Sequence, residues 1–224
     1  MTTPHKKPES HTAEFPNFHL IDHPLVADKL SRMRMATTQM TEFRQLMKEA
    51  GQLLGYEATR GLAVAHQSIE TPLAPMSAPF SRGPALAVVP ILRAGMGLAD
   101  GVLALMPEAA VGHIGLYRDD KTHRPVEYLV KLPDAADRDF LLVDPMLATG
   151  NSAVHAVKML IDRGVEEQNI RFLALVAVPE GVKVMQKAHP SVAIYTAALD
   201  EKLNDHAYIL PGLGDAGDRM FGTR

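Results

Sequence analysis

Unbroken apolar runs alternate with stretches of helical periodicity along most of this chain. Phe140, Leu141, Leu142 and Val143 form a run of the kind that a strand buried on both faces presents. Residues 85–91 (Ala-Leu-Ala-Val-Val-Pro-Ile) form a second run, and residues 111–117, 170–178 and 192–196 read as further strands. Between them the apolar positions recur every three to four residues. That spacing predicts a helix over 153–163 closed by Gly164, one from the Gly95 turn to about Met106, and one opened by Pro179-Glu180-Gly181 and reaching about Ala188. Upstream, Leu25, Val26, Leu30 and Met33 share a helix face, and Phe43, Leu46, Met47, Ala50, Leu53 and Leu54 mark a second helix over 41–56. Lys29, Arg32 and Arg34 are expected on the solvated face of the first. Residues 61–68 and 71–84 predict strands and loops of low regularity. The charged stretch 119–126 predicts an exposed hairpin or mobile flap.

Strands alternating with helices indicate an α/β fold, a mostly parallel sheet flanked by helices. Ligands of such sheets bind beyond the carboxyl ends of the strands. The loops after residues 91, 117, 143 and 178 therefore share one rim, which brings Arg93, Arg118 and residues 144–152 together.

The chemistry concentrates at 144–152. Asp144 places a carboxylate at the end of its strand, and Pro145 stops the ladder because it has no N–H to donate. Thr149, Gly150, Asn151 and Ser152 then precede a helix whose first N–H groups lack partners and whose dipole favours an anion. A carboxylate beside a phosphate cradle suits a phosphorylated sugar, and two arginines on the same rim suit a ligand with more than one phosphate group. The plainer alternative is that Asp144 and Thr149 only turn and cap a strand–helix unit. No Walker-type loop is present. Gly212, Gly214 and Gly217 mimic a dinucleotide fingerprint, but no helix is expected after them.

Composition narrows the classes. The 224 residues, 46% of them hydrophobic, support a sizeable core. A net charge of −3 and 5% aromatic residues speak against nucleic acid or an anionic membrane as partner. Absence of cysteine excludes disulfides, thiolate metal sites and a cysteine nucleophile. No run approaches the roughly 20 apolar residues of a membrane span, so a cytoplasmic protein is expected. Residues 1–18 predict a flexible N-terminal extension, leaving 19–224 as one domain. The histidines, among them His113, His123, His155, His189 and His206, show no metal-ligand spacing and are expected to be structural.

Val143-Asp144-Pro145-Met146-Leu147-Ala148-Thr149-Gly150 resembles the phosphoribosyl-diphosphate loop of the type I phosphoribosyltransferases, in the branch that takes uracil. Pro90-Ile91-Leu92-Arg93-Ala94-Gly95 and Tyr117-Arg118 resemble its two diphosphate-side segments. Residues 208–218, with Phe221-Gly222-Thr223, resemble its base-binding C-terminal segment. The resemblance spans residues 22–224 and implies that fold, with the C-terminal segment as a hood over the base. It also implies a reaction: uracil and 5-phospho-α-D-ribose 1-diphosphate give UMP and diphosphate. By the same resemblance, Asp144 binds the ribose hydroxyls, and Pro145, Met146, Leu147, Ala148, Thr149, Gly150, Asn151 and Ser152 form the phosphate loop. Arg93 and Arg118 grip the diphosphate. Ile209, Gly214 and Ala216 read uracil through main-chain groups, and Asp215 faces the sugar diphosphate and its Mg²⁺. Arg118, Asp144 and Asp215 are thus the implied catalytic residues. Mg²⁺ is held mainly through the substrate rather than by a protein metal site. A homo-oligomer, dimer or higher, and GTP activation belong to the same implication. The loop departs from the family at Asn151, where a second glycine is usual; asparagine tolerates left-handed backbone, so the loop is expected to survive. A regulator on the same fold and an enzyme for another base remain the alternatives.

Overall fold

Phe140 and Leu142 pack into the core on one side of a central sheet while Leu141 and Val143 pack into the core on the other, and none of the four is exposed. That alternation, with both faces covered, is why the strand reads as a continuous apolar run. Burying each such side chain stabilises the fold by about 1.5–3 kcal/mol. The computed structural model describes residues 15–81, 86–118, 125–136 and 138–223.

In chain order the elements are β1 (Phe18–Leu20), α1 (Pro24–Arg34), α2 (Met40–Ala58), β2 (Val64–Glu70), β3 (Pro75–Ser81), β4 (Ala87–Leu92) and α3 (Gly95–Leu105). Next come β5 (Ala110–Val111), β6 (His113–Arg118), β7 (Pro125–Lys131), β8 (Phe140–Val143), β9 (Met146–Leu147) and α4 (Asn151–Ile161). The chain closes with β10 (Ile170–Ala177), α5 (Pro179–Ala188), β11 (Ala193–Leu199), β12 (Lys202–Leu203), β13 (Ile209–Leu210) and α6 (Ala216–Phe221). The main sheet runs β1-β11-β10-β8-β4-β6-β7, with β5 beside β4 and β9 beside β10. Every pairing in it is parallel except β6 with β7.

Helices α1, α2, α3 and α6 cover one face of the sheet, and α4 and α5 cover the other. Prolines at the first turns of α1 and α5 fit there because those N–H groups would have no helical partner. The long helices fall within a few residues of the expected spans. Residues 64–81 are more regular than expected: β2 and β3 pair in register as an antiparallel hairpin. The expectation that no helix follows the C-terminal glycines fails. Asp215 caps α6 by accepting from the Asp218 N–H at 2.8 Å, and this cap supplies what apolar periodicity does not. Phe15 and Phe18 are buried in the core, and β1 pairs with β11. Residues 1–14, most of the expected extension, lie outside the described residues, as do residues 119–124 of the expected flap.

Candidate active site

Parallel strands β4, β6, β8 and β10 deliver their carboxyl ends to one rim, and the functional candidates gather there. Asp144 follows β8 directly. Its carboxyl accepts the Met146 N–H at 3.4 Å, yet burial dominates and raises it to about 7. Pro145 is buried, and its carbonyl accepts the N–H groups of Leu175 and Val176, both at 3.0 Å, which locks the turn onto β10. Met146 and Leu147 form β9; Ala148 and Thr149 lead to Gly150.

Gly150 sits at φ 80°, a left-handed conformation that admits glycine readily, and a Cβ there would stand 2.9 Å from the Gly181 carbonyl oxygen. It is the N-cap of α4, no side chain caps that helix, and the first helical N–H to find a carbonyl is that of Val154. The N–H groups of Asn151, Ser152 and Ala153 thus stand at an open helix start. Asn151 itself lies inside α4 with right-handed backbone and an exposed side chain. The expected left-handed requirement at that position is therefore corrected, since Gly150 alone turns the loop.

Asp144, Met146, Leu147, Ala148, Thr149, Gly150, Ser152 and Ala153 line a cavity of about 190 Å³. A second cavity of about 320 Å³ adjoins it through the shared walls Met146 and Ala148. Its other walls are Ala94 at the start of α3 and residues of the tail: His206, Ala207, Tyr208, Ile209, Gly214, Asp215, Ala216 and Gly217. One chamber has hydroxyls, a carboxylate and free helix N–H groups. The other is largely walled by small and apolar residues with main-chain groups at its edge. Together they suit a phosphorylated sugar joined to a small planar ring.

The arginines are placed less directly. Arg93, between β4 and α3, is exposed and lines neither cavity; its guanidinium lies 5.3 Å from the centre of the Phe221 ring. Arg118 ends β6 next to β4, and its side chain lies outside the described residues. Asp215 is exposed on the wall of the larger cavity, with one carboxyl oxygen spent on the α6 cap. Among the described residues no three or more His, Asp or Glu side chains gather as a metal cluster. The donors present, Asp215 and Asp144, are hard carboxylate oxygens. They fit Mg²⁺ carried by substrate phosphates, because that ion commonly takes one or two carboxylates and completes its shell with phosphate oxygens and water.

Sequence reasoning missed two neighbours of the site. His206, expected to be structural, lines the larger cavity; so does Tyr208, which the sequence left open between packing on the base and a structural ring. Arg34, expected on a solvated helix face with Lys29 and Arg32, instead turns inward to Asp200. Two of the other histidines pair with carboxylates: His155 with Glu127 at 2.9 Å, and His189 with Glu167 at 3.2 Å. His123 lies outside the described residues. Among the described residues no helix is long and apolar enough to cross a membrane.

Comparison with known proteins agrees with this geometry. The model of the family described as uracil phosphoribosyltransferase matches residues 20–223. A uracil phosphoribosyltransferase of Rhodospirillum centenum is 60% identical over 211 residues, covering 94% of this chain and 98% of that protein. A solved structure from Aquifex aeolicus superposes with a TM-score of 0.86 at 31% identity, covering 92% of this chain and 98% of that one. An adenine phosphoribosyltransferase of Trypanosoma brucei, solved with AMP, pyrophosphate and ribose-5-phosphate, shares the fold with a TM-score of 0.55. It is 14% identical and covers 82% of this chain and 84% of that one.

Proposed function

The chain belongs to the uracil phosphoribosyltransferase family, and on that footing we propose how its two joined cavities divide the work of the reaction. The enzyme is a pentosyltransferase: it moves a 5-phosphoribosyl group from phosphoribosyl diphosphate to uracil, forming UMP and releasing diphosphate. The observation that carries our assignment is the wall shared by the two chambers, Met146 and Ala148.

The 5-phosphate takes the smaller chamber, held by the N–H groups at the start of α4 and by the hydroxyls of Thr149 and Ser152. Asp144 accepts hydrogen bonds from the ribose hydroxyls. Uracil takes the larger chamber, where main-chain groups of Ile209, Gly214 and Ala216 meet its N–H and carbonyl edges; fixed amides would mismatch cytosine's donor pattern. Uracil N1 attacks C1 of the ribose as the C1–oxygen bond to diphosphate breaks, and the N1 proton passes to the released diphosphate. Positive charge grows on the sugar and negative charge on the leaving group. Arg93 and Arg118 neutralise that leaving charge, and Asp215 faces the same diphosphate. Mg²⁺, when bound, supplies further positive charge to the departing diphosphate oxygens. Both reactants are held in place by a rigid sheet rim, so positioning contributes much of the rate.

We also propose that the chain works as a homo-oligomer. The β2–β3 hairpin carries the exposed Val64, Leu73, Met76 and Phe80, and a two-stranded hairpin alone is marginally stable in water.

The test is UMP formation from radiolabelled uracil and phosphoribosyl diphosphate with Mg²⁺, with adenine, hypoxanthine, orotate and cytosine as competitors. Wild type runs beside Asp144→Asn and Arg118→Ala, and one arm contains GTP to test activation. Uracil-selective turnover that falls at least about a hundredfold in both variants is expected. Turnover within about threefold of wild type in Asp144→Asn would move the ribose away from the smaller chamber.

A further inference from the structure

Asp200 is the only charged side chain in the buried core among the described residues. It stands just after β11, its own N–H bound to the Ala177 carbonyl of β10 at 2.8 Å. Its carboxylate takes Arg34 in a two-pronged pair: Nη2 to Oδ1 at 2.6 Å and Nη1 to Oδ2 at 2.7 Å. The same two groups also close on one residue of the tail. The Gly212 N–H donates to Asp200 Oδ2 at 2.8 Å, and Arg34 Nη1 donates to the Gly212 carbonyl at 2.7 Å. Gly212 is thereby held by both of its main-chain groups, one to each member of the ion pair.

Neither Arg34 nor Asp200 lines a cavity of the site, but the loop they hold does. Ile209 lies three residues before Gly212, and Gly214, Asp215 and Ala216 follow within four. The turn has little freedom to compensate elsewhere. Gly212 sits at φ 63°, and a Cβ there would collide with the Ile209 carbonyl oxygen. Desolvating a carboxylate and a guanidinium costs several kcal/mol, so a buried pair is weak as a source of stability. It is strong as a source of geometry, because a planar guanidinium accepts few alternative arrangements around a carboxylate.

We propose that Arg34 and Asp200 are positioning residues for uracil, fixing the main-chain groups of 209–216 at the spacing the base requires. This rests on uracil occupying the 320 Å³ cavity.

Steady-state kinetics of Arg34→Lys, Arg34→Ala and Asp200→Asn test it, with KM measured separately for uracil and for phosphoribosyl diphosphate. Lysine cannot hold both carboxylate oxygens and the Gly212 carbonyl at once. We expect uracil KM to rise about tenfold or more in all three, with Arg34→Lys the mildest, while KM for phosphoribosyl diphosphate stays within about twofold. Discrimination against cytosine falls alongside. Ala216→Leu, which narrows the cavity itself, is the control for the placement of the base. If Ala216→Leu raises uracil KM and the three variants do not, the positioning role is overturned and the base placement stands. If Ala216→Leu leaves uracil KM unchanged, the placement fails first and takes the proposal with it. Parallel rises in both KM values, or loss of folding in all three variants by circular dichroism, reduce the pair to a structural brace and also overturn it.

Discussion

A carboxyl ordinarily loses its proton near pH 4, and burial lifts that of Asp144 to about 7 in the folded chain. Between those values the folded protein keeps a proton that the unfolded chain has released. The stability Asp144 contributes is therefore full below pH 4, falls as pH rises to about 7, and stays low above it. Asp144→Asn is neutral throughout. The variant is expected to be more stable than wild type at about pH 8, by at most about 4 kcal/mol and less where solvent at the cavity rim screens the charge. That advantage should vanish near pH 4. Paired thermal melts across this range check it, and a difference independent of pH would count against it. The same substitution is expected to lower turnover at least about a hundredfold, so on the proposed reading stability is given up for a carboxylate that binds sugar. At Asn151 the expectation is small. Its backbone is already helical and its side chain exposed, so Asn151→Gly should shift KM for phosphoribosyl diphosphate by less than about threefold. Asp144, Thr149 and Gly150 were legible because strand end, turn and helix start are contiguous in sequence. Arg34 was not, since its partners Asp200 and Gly212 lie 166 and 178 residues away.

The elements were readable in proportion to how much apolar surface they bury. Strands β4, β8 and β10, covered on both faces, announce themselves as apolar runs, and α2 as a nineteen-residue periodic stripe. Short elements held by polar contacts were not readable; α6 has six residues, Arg44 donates to its Met220 carbonyl, and Arg219 reaches out from it. Arg219 donates to the carbonyls of Leu213 at 2.8 Å and Met35 at 2.7 Å and also to that of Met33. Its guanidinium lies 4.5 Å from the centre of the Phe43 ring. One side chain thus ties the C-terminal helix to the α1–α2 connection. Removing it with Arg219→Ala leaves three main-chain acceptors to find water and forfeits the ring contact. A loss of about 2–4 kcal/mol is expected, read from the urea midpoint at constant slope. A shift below about 0.5 kcal/mol would mean that α6 is held by the burial of Ala216 and Met220 and by the Arg44 donation to the Met220 carbonyl instead.

At the scale of the whole molecule, the hairpin is the part that the rest of the chain does not explain. Register places Ala65 opposite Phe80, Gln67 opposite Ala78 and Ile69 opposite Met76, so these six share one face. The other face carries His66, Ser68, Glu70, Ser77 and Ser81 together with Val64, Pro75 and Pro79. An amphipathic hairpin of this kind would normally lay its apolar face on a core, yet Met76 is 47% and Phe80 42% exposed, and Leu73 at the turn is 96% exposed. Apolar groups clustered on a projecting arm fit a second copy of the chain better than water. The sequence read this region as irregular because its apolar residues are sparse and interrupted by prolines; the alternation emerges only once the strand register is known. If the arm docks on a partner, charging its apolar face should break the assembly and leave each domain folded. Met76→Lys with Phe80→Glu is therefore expected to move the mass in light scattering from a multiple of 24.4 kDa toward that of one chain, with circular dichroism unchanged. Wild type eluting as a single chain at micromolar concentration would refute the proposed assembly. An assembly that survives both charges would show that its contacts lie away from the hairpin's apolar face.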